Sequence, residues 1–370
     1  MIRLILAVTV LLAVPSLSPA QDLRLLFSIG QEDAPDYTFA RISQLAVDRA
    51  RNVYVLDTGD KAVKVYDAEG RFVVRMGREG SGPGEFLVLG GLEVTESEVR
   101  VTDARQSRMS RFDHRGRHLE TGPLVVPQGM NIGSIGPLRG GGRLLRTLYR
   151  ASIGSESHDP YVHILFAGPG DSAPDTLLSF EPAIVLWYTP GGPAPWGGVA
   201  TQLGDGGAHA VAGDSVIALV DGYTGALELR TVTGTGLGPA RIMDLAVRGQ
   251  PFPRRTLESI RDSLRVAHKN TRIDVMAPAQ QSAISGQCFF DDSGRLWVEK
   301  AVVAGASRQW LRIDIRSSAI VAVTVPSQLG VRAVRDDRLY GIWTDELDVQ
   351  TVRVYQVAFE RTRSQGRHPH

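Results

Sequence analysis

LAVDRARNVYVLDTGDKAVKVYDAEG, residues 45–70, is answered by LEVTESEVRVTDARQSRMSRFDHRG, residues 92–116. Asp57 recurs as Asp103, Asp67 as Asp113 and Gly70 as Gly116, each at a spacing of 46. The β-branched and aromatic runs between these markers recur in phase, as NVYVLD against VRVTD and AVKVYD against MSRFD. A repeat of this length that carries strand signals and no helical period predicts a four-stranded β-propeller blade. The turns are typed by their chemistry. Asp67 to Gly70 and Asp113 to Gly116 are tight reversals in which the glycine takes positive φ.

Outward from that unit the copies become worn. Residues 140–149 with 161–167 read as strands of a third blade, and 214–221 with 226–232 as a fourth. Residues 291–300 with 310–325 make a fifth, and 336–343 with 350–359 a sixth. Six blades of about 46 residues occupy roughly 276 positions. The remaining length fits visible insertions, so six blades is more economical than seven. Leu25 to Gly30 (LLFSIG) resembles the end of the first blade's fourth strand, Val73 to Gly77 (VVRMG), yet has no blade of its own. It is expected to pair with the C-terminal blade and close the ring, which removes an exposed sheet edge. The expected class is all-β: a six-bladed propeller of four-stranded antiparallel blades over residues 21–360.

Two insertions depart from the repeat. Residues 186–198 (LWYTPGGPAPWGG) read as a proline and glycine loop bearing Trp187, Tyr188 and Trp196. Residues 253–270 hold the one amphipathic helical pattern, with Leu257, Ile260 and Leu264 along one face and five basic against two acidic residues, His268 aside. Residues 361–370 are a polar basic stretch expected to be disordered.

The first twenty residues have the form of a secretory signal peptide. Arg3 precedes an apolar run from Leu4 to Val14, and small residues stand at Ser18 and Ala20. Cleavage near Ala20 and export to the periplasm or the exterior are expected, with no segment apolar enough to span a membrane. The chain has 41 basic and 40 acidic residues. That balance supplies no field for nucleic acid. Cys288 is the sole cysteine. An exported chain of this kind is held by packing rather than a disulfide, and Cys288, beside Phe289 and Phe290, reads as a small buried hydrophobe.

The run from Ile42 to Phe86 resembles an NHL-type repeat, with its NVYVLD and VKVYD strands, D-A-E-G turn and G-P-G-E-F link. The second copy keeps VTD, RFD and RG but lacks the G-P-G-E-F link; WLRID, LYGIW and VRVYQV extend the likeness. The chain is thus similar to exported bacterial six-bladed propellers of NHL-like type. Such propellers include interaction platforms as well as lyases and lactonases, so the likeness implies fold far more than function. It also implies that the second-to-third-strand links and the interblade links share one face, where ligands commonly bind.

On that face the expected ligand contacts are Asp57, Lys61, Arg78, Asp103, Arg105, Arg108 and Asp221, with Trp187 and Trp196 offering aromatic surface from the insertion. Two chemistries compete there. Aspartates ending successive second strands could gather a calcium ion for a hydrolase or lyase. Equally, such an aspartate accepts N–H bonds within its own turn. The eight histidines show no ligand spacing, the glycine-rich segment 77–84 lacks the lysine and helix of a phosphate loop, and no serine-nucleophile motif is present. The leading expectation is therefore a monomeric binding module, without catalysis or cofactor, for a protein, a carbohydrate or another small molecule. A cation-dependent lactonase-like enzyme is the alternative, with the metal unknown.

Overall fold

The computed structural model describes residues 23–30, 34–124, 132–138, 140, 142–147, 161–168, 174–181, 184–188, 196–200, 206–213, 215–233, 236–251, 254–267, 274–276, 280–301 and 306–358. The proposed signal peptide, the basic tail and His268 lie outside them. These residues build a six-bladed β-propeller with a single helix.

Each blade is an antiparallel meander running from an inner to an outer strand. Blade 1 is Ile42–Val47, Val53–Asp57, Ala62–Tyr66 and Phe72–Met76. Blade 2 is Leu89–Val94, Val99–Asp103, Arg108–Phe112 and His118–Pro123. Blade 3 uses Ile132–Pro137, Arg143–Thr147, Val162–Ala167 and Asp175–Phe180. Blade 4 uses Gly207–Ala212, Val216–Asp221, Ala226–Thr233 and Arg241–Asp244. Blade 5 follows with Ile284–Phe290, Leu296–Lys300, Arg308–Ile313 and Ile320–Val325. Blade 6 takes Leu329–Arg335, Arg338–Thr344 and Gln350–Val357 from the C-terminal end, and its outer strand is Leu23–Ile29 from the N-terminal end.

The alternation of a strand decides which neighbour each side chain meets. In the second strand of blade 1, Val53 and Val55 pack with Ile29, Val352 and Val354 of blade 6. Tyr54 and Leu56, pointing the other way, pack with Leu89, Val99 and Val101 of blade 2. All five residues of that strand are buried. A sheet sandwiched on both faces needs an unbroken apolar run, which is what VYVL supplies. The same interblade packing joins blades 3 and 4, 4 and 5, and 5 and 6, the last around Trp297 and Trp310. Each such side chain contributes roughly 1.5–3 kcal/mol through burial.

Glycine is required where the interblade link doubles back. Gly30 and Gly77 have φ of 103° and 80°. A Cβ on Gly30 would come within 2.8 Å of Phe39, and one on Gly77 would collide with Phe86. Each ring thus lies directly on its glycine.

The insertion differs from its reading as a loop. Ile184–Tyr188 and Trp196–Ala200 form a hairpin, and Asp274–Met276 adds a third strand to it. The β-forming arms IVLWY and WGGVA flank the proline and glycine run, whose composition hides them. Residues 189–195, the centre of that run, lie outside the described residues. The helix is Arg254–Ala267, with Leu264 buried and Leu257 and Ile260 half-buried. No helix among the described residues is long and apolar enough to cross a membrane.

Candidate functional site

The second-to-third-strand turns and the interblade links share one face, and the repeat aspartates stand between them. Asp57 is fully buried. Its carboxylate accepts from the amides of Ala40 (3.0 Å) and Arg41 (2.9 Å) in the preceding link, and from Gly59 (3.1 Å) and Asp60 (3.2 Å) in its own turn. Asp103 does the same with Leu87, Val88, Arg105 and Gln106. Asp221 accepts from Tyr223 and Thr224. Asp57 and Asp103 are therefore clasps whose oxygens are committed to backbone amides, while Asp221 orders its own turn through Oδ1. Lys64 completes the first clasp, with Nζ 2.5 Å from Asp60 and 3.6 Å from Asp57.

The basic residues on this face divide between support and exposure. Lys61 sits at φ 52° and donates to the Thr58 carbonyl at 2.9 Å. Its repeat counterpart Ser107 has φ 47°. Arg78 pairs with Glu85, and Arg108 donates to the carbonyls of Ser81, Gly82 and Glu85, so the two brace one interblade link. Arg105 is exposed. Trp187 and Trp196 belong to the inserted hairpin, where Trp187 is opposite Gly197 and Trp196 opposite Tyr188. Asp57 and Lys61 thus share one turn, and Asp103, Arg105 and Arg108 another.

Blades 3, 5 and 6 carry Thr147, Lys300 and Trp343 where blades 1, 2 and 4 carry the aspartate. The register places Ile42 opposite Asp57, Leu89 opposite Asp103 and Gly207 opposite Asp221. In blade 6 the corresponding pair is Leu329 and Trp343. The Trp343 ring lies under the Arg353 guanidinium, 3.6 Å from its carbon to the ring centroid. With no carboxylate at this place, the link entering blade 6 is bonded to the second strand through the backbone, Thr344 N–H to the Gln328 carbonyl at 3.0 Å. Its counterparts in blades 1 and 2 are Thr58 to Arg41 and Ala104 to Val88, both at 2.8 Å.

A cavity of about 300 Å³ opens beside that link, between blades 5, 6 and 1. Arg308, Ser327, Gln328, Arg332, Thr344 and Gln350 supply its polar wall, and Ile42 and Ile342 its apolar edge. Arg308 donates from Nε to the Ser327 carbonyl at 3.0 Å and from Nη1 to Glu299 at 2.7 Å. Glu299 is buried and also accepts from the Ser285 hydroxyl. Arg332 has no carboxylate within ion-pair distance among the described residues. Removal from water lowers its pKa, the neighbouring Arg308 lowers it further, and Glu299 acts in the opposite sense. Its guanidinium lies over Gly330, where a Cβ would stand 3.2 Å from Nη1.

Other reactive groups sit elsewhere. Burial pushes the Cys288 thiol up to about 12, which removes the thiolate at neutral pH. His114 bonds Tyr54 and His118 bonds Thr121, each within the framework. Among the described residues no group of three or more His, Cys, Asp or Glu side chains is placed to hold a metal ion.

Comparison with known proteins agrees with this architecture. A family model described as a 6-bladed beta-propeller matches residues 32–126. No curated protein matches the chain. A crystal structure from Bacteroides fragilis, of a protein whose export is predicted, is similar at 12% identity and TM-score 0.53, covering 94% of this chain and 98% of its own. A Bacteroides vulgatus structure from a family of unknown function is similar at 10% identity and TM-score 0.50, covering 92% and 99%. Such distant likeness carries the fold and nothing of the activity, so the chain is a six-bladed β-propeller whose role must be argued from its own site.

Proposed function

We propose that the protein is an exported binding module, of NHL-like kinship, that holds a small molecule in the cavity between blades 5, 6 and 1 without chemically altering it. The observation that carries this reading is the loss of the aspartate clasp in blade 6, at the place where a cavity of about 300 Å³ opens. That volume is at the lower end of small-molecule sites. The lining favours binding over catalysis for a chemical reason. Guanidinium, amide and hydroxyl groups orient a ligand, but none exchanges a proton near neutral pH as a general acid or base must.

No cofactor is needed in this reading. A cation-dependent hydrolysis would need unspent carboxylate oxygens at the mouth, whereas Asp57 and Asp103 each hold four amides. Secretion with cleavage near Ala20 and a monomeric state complete the proposal.

The test is to incubate the purified chain with a small-molecule extract of its source cells, re-isolate it and identify what it retains by mass spectrometry. The control is Thr344→Trp, which fills the cavity. Retention of an unaltered molecule by the wild type alone is expected. Equal retention by both chains would reject the cavity, and a molecule returned with altered mass would reject the absence of chemistry.

A further inference from the structure

We infer that the ligand of this cavity presents a carboxylate to Arg332, and that the site is built for a single negative charge. The inference rests on the reading of the cavity as a binding site and names its ligand class. Its first support is the direction of the hydrogen bonds. Gln350 Oε1 accepts from the Ile42 amide at 2.7 Å, which leaves the Nε2 donors of Gln350 unspent. Gln328 Oε1 likewise accepts from the Ser327 hydroxyl at 3.1 Å. Arg308 spends Nε and Nη1 on Ser327 and Glu299, and Arg332 spends Nη1 on the Val331 carbonyl at 3.1 Å. The remaining polar capacity of these four side chains is mostly donor capacity, with one lone pair left on each glutamine Oε1. No carboxylate lines the cavity.

The charge tally supplies the second support. Arg308 and Arg332 carry two positive charges, and Glu299, bonded to Arg308 behind the wall, carries one negative. One positive charge is left over, and it resides on Arg332, which lacks a carboxylate partner among the described residues. A half-buried guanidinium without a counter-ion carries a desolvation cost, and a planar carboxylate meets it in the bidentate geometry that makes such pairs strong. A phosphate monoester would bring close to two charges and leave one uncompensated. Ile42 and Ile342 give the uncharged body of the ligand an apolar contact.

The third support is steric. Gly330 is buried, and a Cβ there would stand 3.2 Å from Nη1 of Arg332 and shift the guanidinium by a few tenths of an ångström. The absence of a side chain at Gly330 thus lets the guanidinium lie close over the backbone.

The experiment compares benzoate, phenyl phosphate and benzamide by isothermal titration at low salt, with the full chain and with Arg332→Gln and Arg332→Lys. Benzoate should bind the wild type measurably, about tenfold or more weaker to Arg332→Gln, and in between to Arg332→Lys, which keeps the charge but loses the fork. Unchanged thermal unfolding in Arg332→Lys certifies a folded comparison should the glutamine variant unfold. Tighter binding of phenyl phosphate than of benzoate, equal binding of benzamide, an affinity for benzoate indifferent to Arg332, or no binding of any probe would each overturn the inference. An uncharged molecule retained from the cell extract would overturn the carboxylate while leaving the binding role standing. Retention of nothing, together with silent probes, would remove both.

Discussion

The backbone N–H of Ile42 donates to Oε1 of Gln350 at 2.7 Å, across 308 residues of sequence. This bond ties the first strand of blade 1 to the third strand of blade 6, beside the seam where Leu23–Ile29 completes the ring. Gln350→Leu should destabilise the chain by about 1–3 kcal/mol, the cost of leaving a buried amide unpaired. The measure is the midpoint of urea unfolding at unchanged slope. Gln350→Glu keeps the acceptor and should hold stability, but its negative charge in the cavity wall should weaken benzoate binding.

The aspartate clasps give a prediction of the opposite kind. Asp103→Ala strands the amides of Leu87, Val88, Arg105 and Gln106 and should cost about 3 kcal/mol or more in urea unfolding. Ligand retention by the fraction that remains folded should equal that of the wild type, because neither Asp103 nor any residue whose amide it holds lines the cavity. A variant of undiminished stability that no longer retains ligand would reverse the assignment of Asp103 to architecture.

The clasps and the cavity differ in how far they are legible in the chain. Asp57, Asp103, Gly70 and Gly116 could be read because turns and clasps are local, and a local constraint is satisfied by the same residue in each copy. Gly70 and Gly116 indeed share φ values of 86° and 84°. The kinship of Leu25–Gly30 with Val73–Gly77 carried the position of the outer strand, since Gly30 and Gly77 each support a phenylalanine, Phe39 and Phe86. The cavity is assembled differently. Arg308, Arg332 and Gln350 come from three strands of two worn blades, and Ile42 joins them from the other end of the chain. No spacing connects such residues before the ring is closed. The sequence holds only Lys300 and Trp343 where an aspartate would stand in blades 5 and 6, which is a departure from the repeat rather than a motif.

Lys64 is a buried charge, with its side chain 1% exposed. Besides Asp57 and Asp60 it reaches the carbonyls of Thr38 (2.5 Å) and Pro35 (3.3 Å), and it lies 5.5 Å from the Phe39 ring centroid. It therefore fastens the link that follows the ring-closing strand to the body of blade 1. Lys64→Met removes the cation from two carboxylates and should cost about 3–5 kcal/mol. Lys64→Met combined with Asp60→Asn should recover part of that loss. A double-mutant cycle in urea checks this, and strict additivity of the two changes would show that the pair is not coupled.

His209, in the inner strand of blade 4, carries the clearest pH dependence. Burial is the larger cause and the Arg146 guanidinium the smaller, and together they push its imidazole down from 6.5 to about 4. The folded chain thus holds His209 neutral at pH values where the unfolded chain protonates it, so the unfolded state binds more protons between those limits. Stability from this residue is complete above about pH 6.5 and is lost as the pH falls toward 4, by about 2 kcal/mol at pH 5. Urea unfolding of the wild type at pH 7.5 and pH 5 contains this loss together with that of other groups. In His209→Gln the drop should be smaller by the same amount, since glutamine keeps a polar group there without a proton to gain. An identical pH dependence in the two chains would mean that His209 accepts its proton in the folded state as readily as in the unfolded one.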